Sequence, residues 1–174
     1  MMRYLILALA LLVSSAWAEN RDPDSYFFNP KLGDFRAELA TARQDGKTGV
    51  MLFFEMDDCP FCARMKATIL NQPDVQDYYR KHFLIFPLDT KGDSPMTDFK
   101  GRETREKDFA FENRVRATPV IAFFDLDGKL IVRHTGPTKN KDEFLLLGRY
   151  VVDGFYRQMP FVKYKQQVQA TLGP

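Results

Sequence analysis

Cys59 and Cys62 are the only two cysteines among 174 residues, and Pro60 and Phe61 alone separate them. This C-x-x-C spacing suits thiol-disulfide exchange, in which one thiolate attacks a disulfide and a neighbouring thiol resolves the mixed product. Asp58 or Cys59 can cap a helix whose first turn holds Pro60, a residue favoured at helix entry. A cysteine at that point has free backbone N–H groups and the positive end of the helix dipole near its sulfur, which stabilise the thiolate. Cys59 is therefore the expected nucleophile. Cys62, one turn further in, is the expected resolving thiol. An inert disulfide over so short a loop would restrict the unfolded chain little. A zinc site would need two further ligands where His82 and His134 are the only histidines. Haem attachment would need histidine where Ala63 stands.

The elements that must hold this pair can be read on either side of it. Val50 to Glu55 is an unbroken apolar run of strand length ending in a glutamate, as expected of a strand covered on both faces. The motif helix runs on to about Leu70, and Asn71 and Pro73 end it. Before the strand, Asp34 to Gln44 has Phe35, Leu39 and Ala42 at helical spacing, and Asp45-Gly46 stops it. Pro73 to Lys81 reads as a short helix, Phe83 to Leu88 as a second buried strand, and Phe109 to Val115 as helical. Pro119 to Asp125 and Lys129 to His134 read as strands joined by an Asp127-Gly128 turn, followed by a long helix over Asp142 to Tyr156. The expected class is α/β. Thr90 to Arg105, rich in Gly, Asp, Lys and Pro, reads as a charged surface insertion. The six phenylalanines 27, 28, 53, 54, 123 and 124 read as core, whereas Phe61 is expected to stay exposed.

The first residues bear on location. One positive charge at Arg3, an apolar run from Tyr4 to Val13 and the small-x-small Ala16-Trp17-Ala18 have the form of a secretory signal peptide. The run is too short to be a membrane anchor, which needs about 20 residues. Residues 1–18 are thus expected to be removed, with 19–33 as an extended lead-in, 34–156 as one domain and 157–174 as a tail that is either a short amphipathic helix or loose. The formal net charge of +2 includes Arg3. A near-neutral mature chain gives no electrostatic reason for nucleic acid or an anionic membrane face as partner.

Taken together, the strand before Cys59-Pro60-Phe61-Cys62, the later Arg116-Ala117-Thr118-Pro119-Val120 opening another strand, and Asp127-Gly128 with Gly136 resemble the thioredoxin superfamily over about residues 34 to 156. The signal peptide, the Phe-Phe-Glu lead-in to the motif and the charged insertion most resemble its exported SoxW-type members. The resemblance implies a single-domain thioredoxin-like fold, with a central mixed sheet flanked by helices and the insertion around 90–105. It also implies a cis Thr118-Pro119 bond facing the cysteines, with Thr118 offering backbone groups to a substrate strand and Pro60 and Phe61 contributing to its docking.

The activity so implied is that of a monomeric periplasmic thiol-disulfide oxidoreductase. It would act as a reductase of protein disulfides or of a persulfide on a sulfur-carrier protein, with a membrane thiol-electron donor and no cofactor beyond the Cys59–Cys62 disulfide. A periplasmic oxidase or isomerase, and a non-catalytic thioredoxin-like binding module, are the alternative readings.

Two local features bear on mechanism. Cytosolic thioredoxins carry a buried aspartate six residues before the first cysteine, and here that position is Phe53. Glu55 is the nearest substitute, a proton shuttle if burial raises its pKa. Asp57 and Asp58 oppose the Cys59 thiolate, and Phe61 supplies no positive charge between the sulfurs. Thiolate pKa values in such enzymes span about 3.5 in a strong oxidant to about 7 in thioredoxin. The local charges point to the reducing end.

Overall fold

In the computed structural model, residues 20–172 are described. The leader read at residues 1–18, with Trp17, lies outside them.

Strand β1 (Gly49–Glu55) is the centre of the molecule, because both of its faces are covered. Met51 and Phe53 point into one apolar cluster, while Val50, Leu52 and Phe54 point into another. This two-sided burial explains why the segment is apolar without alternation. On one side β1 pairs in parallel with β2 (Phe83–Asp89), Glu55 standing opposite Asp89. On the other it pairs antiparallel with β5 (Val120–Phe124), which continues into β6 (Leu130–Thr135), so the sheet order is β2-β1-β5-β6. The β5–β6 turn closes through Asp125 and Lys129, with Gly128 at φ 71, a conformation most side chains disfavour.

Helices α1 (Phe35–Gln44) and α4 (Glu106–Glu112) cover the second cluster, where Phe35, Phe54, Phe86, Phe109 and Phe124 meet. Helices α2 (Pro60–Met65), α3 (Pro73–His82) and α5 (Lys141–Val152) cover the first. Here Tyr79 stacks on Phe144 at 4.2 Å between centroids and donates its hydroxyl to the Phe144 carbonyl. Helix α2 continues through a wider π-type turn, Lys66–Leu70. The expected thioredoxin-like arrangement of a mixed sheet flanked by helices is the one observed.

Three expectations need correction. The lead-in is not extended throughout: Asp22 caps a wide helical turn, Pro23–Phe27, and Phe27 and Phe28 are buried, so the turn is fixed by packing. The insertion is not merely a charged excursion. It folds as a two-stranded ribbon, β3 (Pro95–Thr97) with β4 (Glu103–Arg105), and buries Met96 and Phe99 in the second cluster. Helix α5 stops at Val152 rather than Tyr156, because Gly154 adopts φ 75 and a short 3-10 turn follows. Of the two readings of the tail, the helix is the one observed: α6 (Phe161–Leu172) docks on α5 through buried Tyr164 and a Lys165–Glu143 ion pair of 2.6 Å.

Candidate active site

Strands β1 and β2 both end at one edge of the sheet, and the antiparallel β5 begins there, opposite Phe54. That edge gathers the end of β1, the start of α2 and the Thr118-Pro119 pair that precedes Val120. The chain crosses it from Glu55 to Cys59 in four residues and enters α2 with Cys59 as the capping residue. The Cys59 sulfur accepts the backbone N–H of Cys62 at 3.1 Å, and its carbonyl accepts that of Ala63. Pro60 occupies the first turn, where its missing N–H costs nothing.

The sulfurs of Cys59 and Cys62 are joined as a disulfide. Cys59 is 5% exposed and Cys62 2%, both packed at the rim of the first apolar cluster. Pro60 is exposed, and Phe61 is 51% exposed with the Arg64 guanidinium 5.6 Å above its ring. The Thr118-Pro119 bond is cis, Pro119 is buried, and its carbonyl accepts the N–H of Gly136. Thr118 is half-buried, and its hydroxyl has no protein hydrogen-bond partner among the described residues.

A cleft of about 210 Å³ opens beside the sulfurs, with Glu55, Asp57, Lys66 and Asp89 on its walls. The position of the usual buried aspartate is filled by Phe53, fully buried and apolar. Of the three carboxylates lining this cleft, Glu55 is the one paired with Lys66. Burial pushes its pKa above the ordinary carboxylate value, and the Lys66 ammonium, 2.9 Å away, opposes that rise. Lys66 in turn reaches Asp24 of the lead-in at 2.8 Å. Burial works against its charge, yet the hydrogen bonds to the two carboxylates raise its pKa overall.

Asp57 and Asp58 are solvent-exposed, and the Lys91 ammonium holds Asp58 below its ordinary pKa through a 3.0 Å hydrogen bond. Sequence reasoning located Glu55 but not Lys66, Asp24 or Lys91. Each of these three meets the site from a different part of the chain, and no local spacing announces such contacts. His82 and His134 line neither the sulfurs nor this cleft. His82 lies against Tyr78, and His134 is half-buried against Phe161.

Comparison with solved structures agrees with this fold. A thioredoxin-fold protein from Helicobacter pylori superposes with a TM-score of 0.57 at 22% identity, covering 71% of this chain and 88% of its own. A thioredoxin from Thermus thermophilus gives 0.53 at 26% identity over 68% and 84% of the two chains. The C-terminal domain of DsbD from Neisseria meningitidis, in its reduced form, gives 0.51 at 21% identity over 66% and 91%. No curated protein sequence matches the chain. The model of the thioredoxin-like domain family matches residues 35–151, two thirds of the sequence, and this chain belongs to that family.

Proposed function

We propose that this protein is an exported thiol-disulfide oxidoreductase working in the periplasm as a reductase of protein disulfides, or of a persulfide on a sulfur-carrier protein. The observation that carries the thiol-disulfide exchange itself is Cys59 at the cap of α2, its sulfur accepting the Cys62 N–H; the reducing direction rests on Asp57, Asp58 and the uncharged Phe61 between the cysteines. A dipole and a hydrogen bond aimed at that sulfur favour its thiolate. The likeness to a thioredoxin at 26% identity supports the same chemistry.

In the forward direction the Cys59 thiolate attacks one sulfur of the partner disulfide. A mixed disulfide forms, and the first partner thiolate leaves and takes up a proton from solvent. Cys62 then gives its proton to the Glu55 carboxylate and attacks the Cys59 sulfur. The second partner thiolate departs and recovers that proton. Two electrons pass to the partner, and Cys59–Cys62 is left as the disulfide. A dithiol donor at the membrane reverses the exchange, and no further cofactor enters. Thr118 presents backbone groups to the partner strand, Pro119 shapes the groove floor, and Pro60 and Phe61 meet the partner at the helix entry. The protein acts as a monomer.

Reduction of insulin by the mature chain with dithiothreitol tests this reading. Cys59→Ser is expected to abolish the activity, and Cys62→Ser to trap a mixed disulfide with the physiological partner. Insulin reduction undiminished by Cys59→Ser would exclude the catalytic reading and leave a binding module.

A further inference from the structure

Lys66 stands four residues beyond Cys62, and its ammonium lies between two carboxylates. Its Nζ is 2.9 Å from Glu55 Oε2 and 2.8 Å from Asp24 Oδ1, with the Phe28 ring 5.4 Å away. The Glu55 and Lys66 side chains are about four-fifths buried, while Asp24 faces solvent. One ammonium therefore serves a carboxylate in the cleft beside the sulfurs and a second one at the surface.

The segment that brings Asp24 here is firmly held. The Arg21 N–H donates to the Asn71 carbonyl, and Asp22 caps the turn by accepting the Asp24 N–H and the Ser25 hydroxyl. Phe27 and Phe28 are buried in the first cluster, and Asn29 exchanges two hydrogen bonds with Ile85 on the free edge of β2. A lead-in needed only to cover that edge and fill the core would have no use for a carboxylate aimed at Lys66.

We propose that Asp24 and Lys66 are positioning residues for the resolving step, the lead-in carboxylate drawing the Lys66 ammonium partly away from Glu55 and thereby keeping Glu55 able to accept and return the Cys62 proton. This rests on the reading of Glu55 as the proton acceptor. The charged groups facing Glu55 are Lys66 from the end of α2, Asp24 from the lead-in, Asp89 from the end of β2 and Asp57 from its own segment. Lys66 is the only cation among them. Without Asp24 the whole ammonium would serve Glu55, stabilising its carboxylate and weakening it as a base. Without Lys66, Glu55 would face three carboxylates with no compensating charge, and its ionisation would move upward.

These two effects have opposite signs, which separates positioning from a merely structural role. The resolving step can be followed as the first-order release of a fluorogenic peptide thiol from its mixed disulfide with Cys59, in the mature full-length chain across pH. Asp24→Asn is expected to move the ascending limb of the rate to lower pH, and Lys66→Met to higher pH. Each shift should be about half a pH unit, roughly a threefold change in rate on the limb. Lys66→Arg, which retains the charge, should restore the limb and also serves if Lys66→Met does not fold. Glu55→Gln should remove the limb and cancel the effect of Asp24→Asn. Shifts in the same direction, or no shift with Asp24→Asn while Glu55→Gln still slows resolution, would overturn the positioning role alone. A limb unchanged by Glu55→Gln would instead remove Glu55 as the proton acceptor.

Discussion

Lys91, in the first turn of the insertion, reaches back to Asp58 with its Nζ 3.0 Å from Oδ1, so one of the two carboxylates preceding Cys59 already has a cation beside it. Both side chains are well exposed, and water screens what they exert on the sulfur. The repulsion expected from Asp57 and Asp58 is thus weaker than their sequence position implies, and the proposed reducing direction rests more on the lack of a cationic residue between Cys59 and Cys62.

Equilibration with a glutathione redox series is expected to give a potential nearer thioredoxin's roughly −270 mV than the roughly −120 mV of the strongly oxidising DsbA. Lys91→Ala should move it to more negative values and Asp58→Asn to more positive ones, each by less than about 15 mV. A wild-type potential above about −150 mV would contradict the reductase assignment.

Phe99 illustrates what the insertion contributes to the fold. Its ring stacks on Phe35 at 5.2 Å and meets Phe124 at 4.5 Å, with 8% of the residue exposed. Phe99→Ala is expected to cost about 3 kcal/mol, the loss of a buried ring together with the cavity left behind. In a chain of this size that corresponds to a fall of about 6–12 °C in the thermal midpoint. A change of less than about 2 °C would mean that the ribbon is dispensable to the core.

The same residue shows where reading the sequence stops. Cys59 and Cys62 were legible because cysteine is rare here and their spacing has a direct chemical meaning. Strand β1 was legible because six buried positions in a row admit no polar residue. Met96 and Phe99 lie among charged and turn-forming residues without a period, so nothing local marks them as buried. The lead-in misled for a related reason, since Pro23 and Pro30 read as extended chain while the Asp22 cap and the burial of Phe27 impose a helical turn. Glu55 was visible as a strand-end acid, but its pairing with Lys66 and Asp24 is a contact made by the finished fold, spanning up to 42 residues of separation.

Phe61 has the opposite character to Phe99, being half-exposed at the helix entry beside the sulfurs. Phe61→Ala is expected to leave the thermal midpoint almost unchanged, as for surface substitutions generally. It should lower kcat/KM for a folded protein disulfide by about three- to tenfold, through loss of a contact with the partner. Reduction of a small aromatic disulfide, which cannot span the groove, should be unaffected. Equal loss with both substrates would place the effect on the sulfurs themselves and not on docking.

His134 links the sheet to the C-terminal helix and gives the fold a pH dependence of definite sign. It lies on β6 with its ring edge-on to Phe161 at 5.9 Å, and its buried Nε2 has no hydrogen-bond partner among the described residues. Burial holds its pKa below the ordinary histidine value; Glu143 on α5 opposes that effect, and Lys165 on α6 reinforces it. The folded state therefore binds this proton less readily than the unfolded chain does. Stability from this site is complete above the unfolded value of about 6.5 and falls as pH drops through and below it. His82, also held low by burial, acts in the same direction, whereas the raised pKa of Glu55 acts in the opposite one. Thermal melts are expected to drop by about 2–5 °C between pH 7.5 and 5.5, with His134→Gln removing a measurable part of that slope. A midpoint that instead rises towards pH 5.5 in the wild type would show that protonating His134 does not strain the contact between β6 and α6.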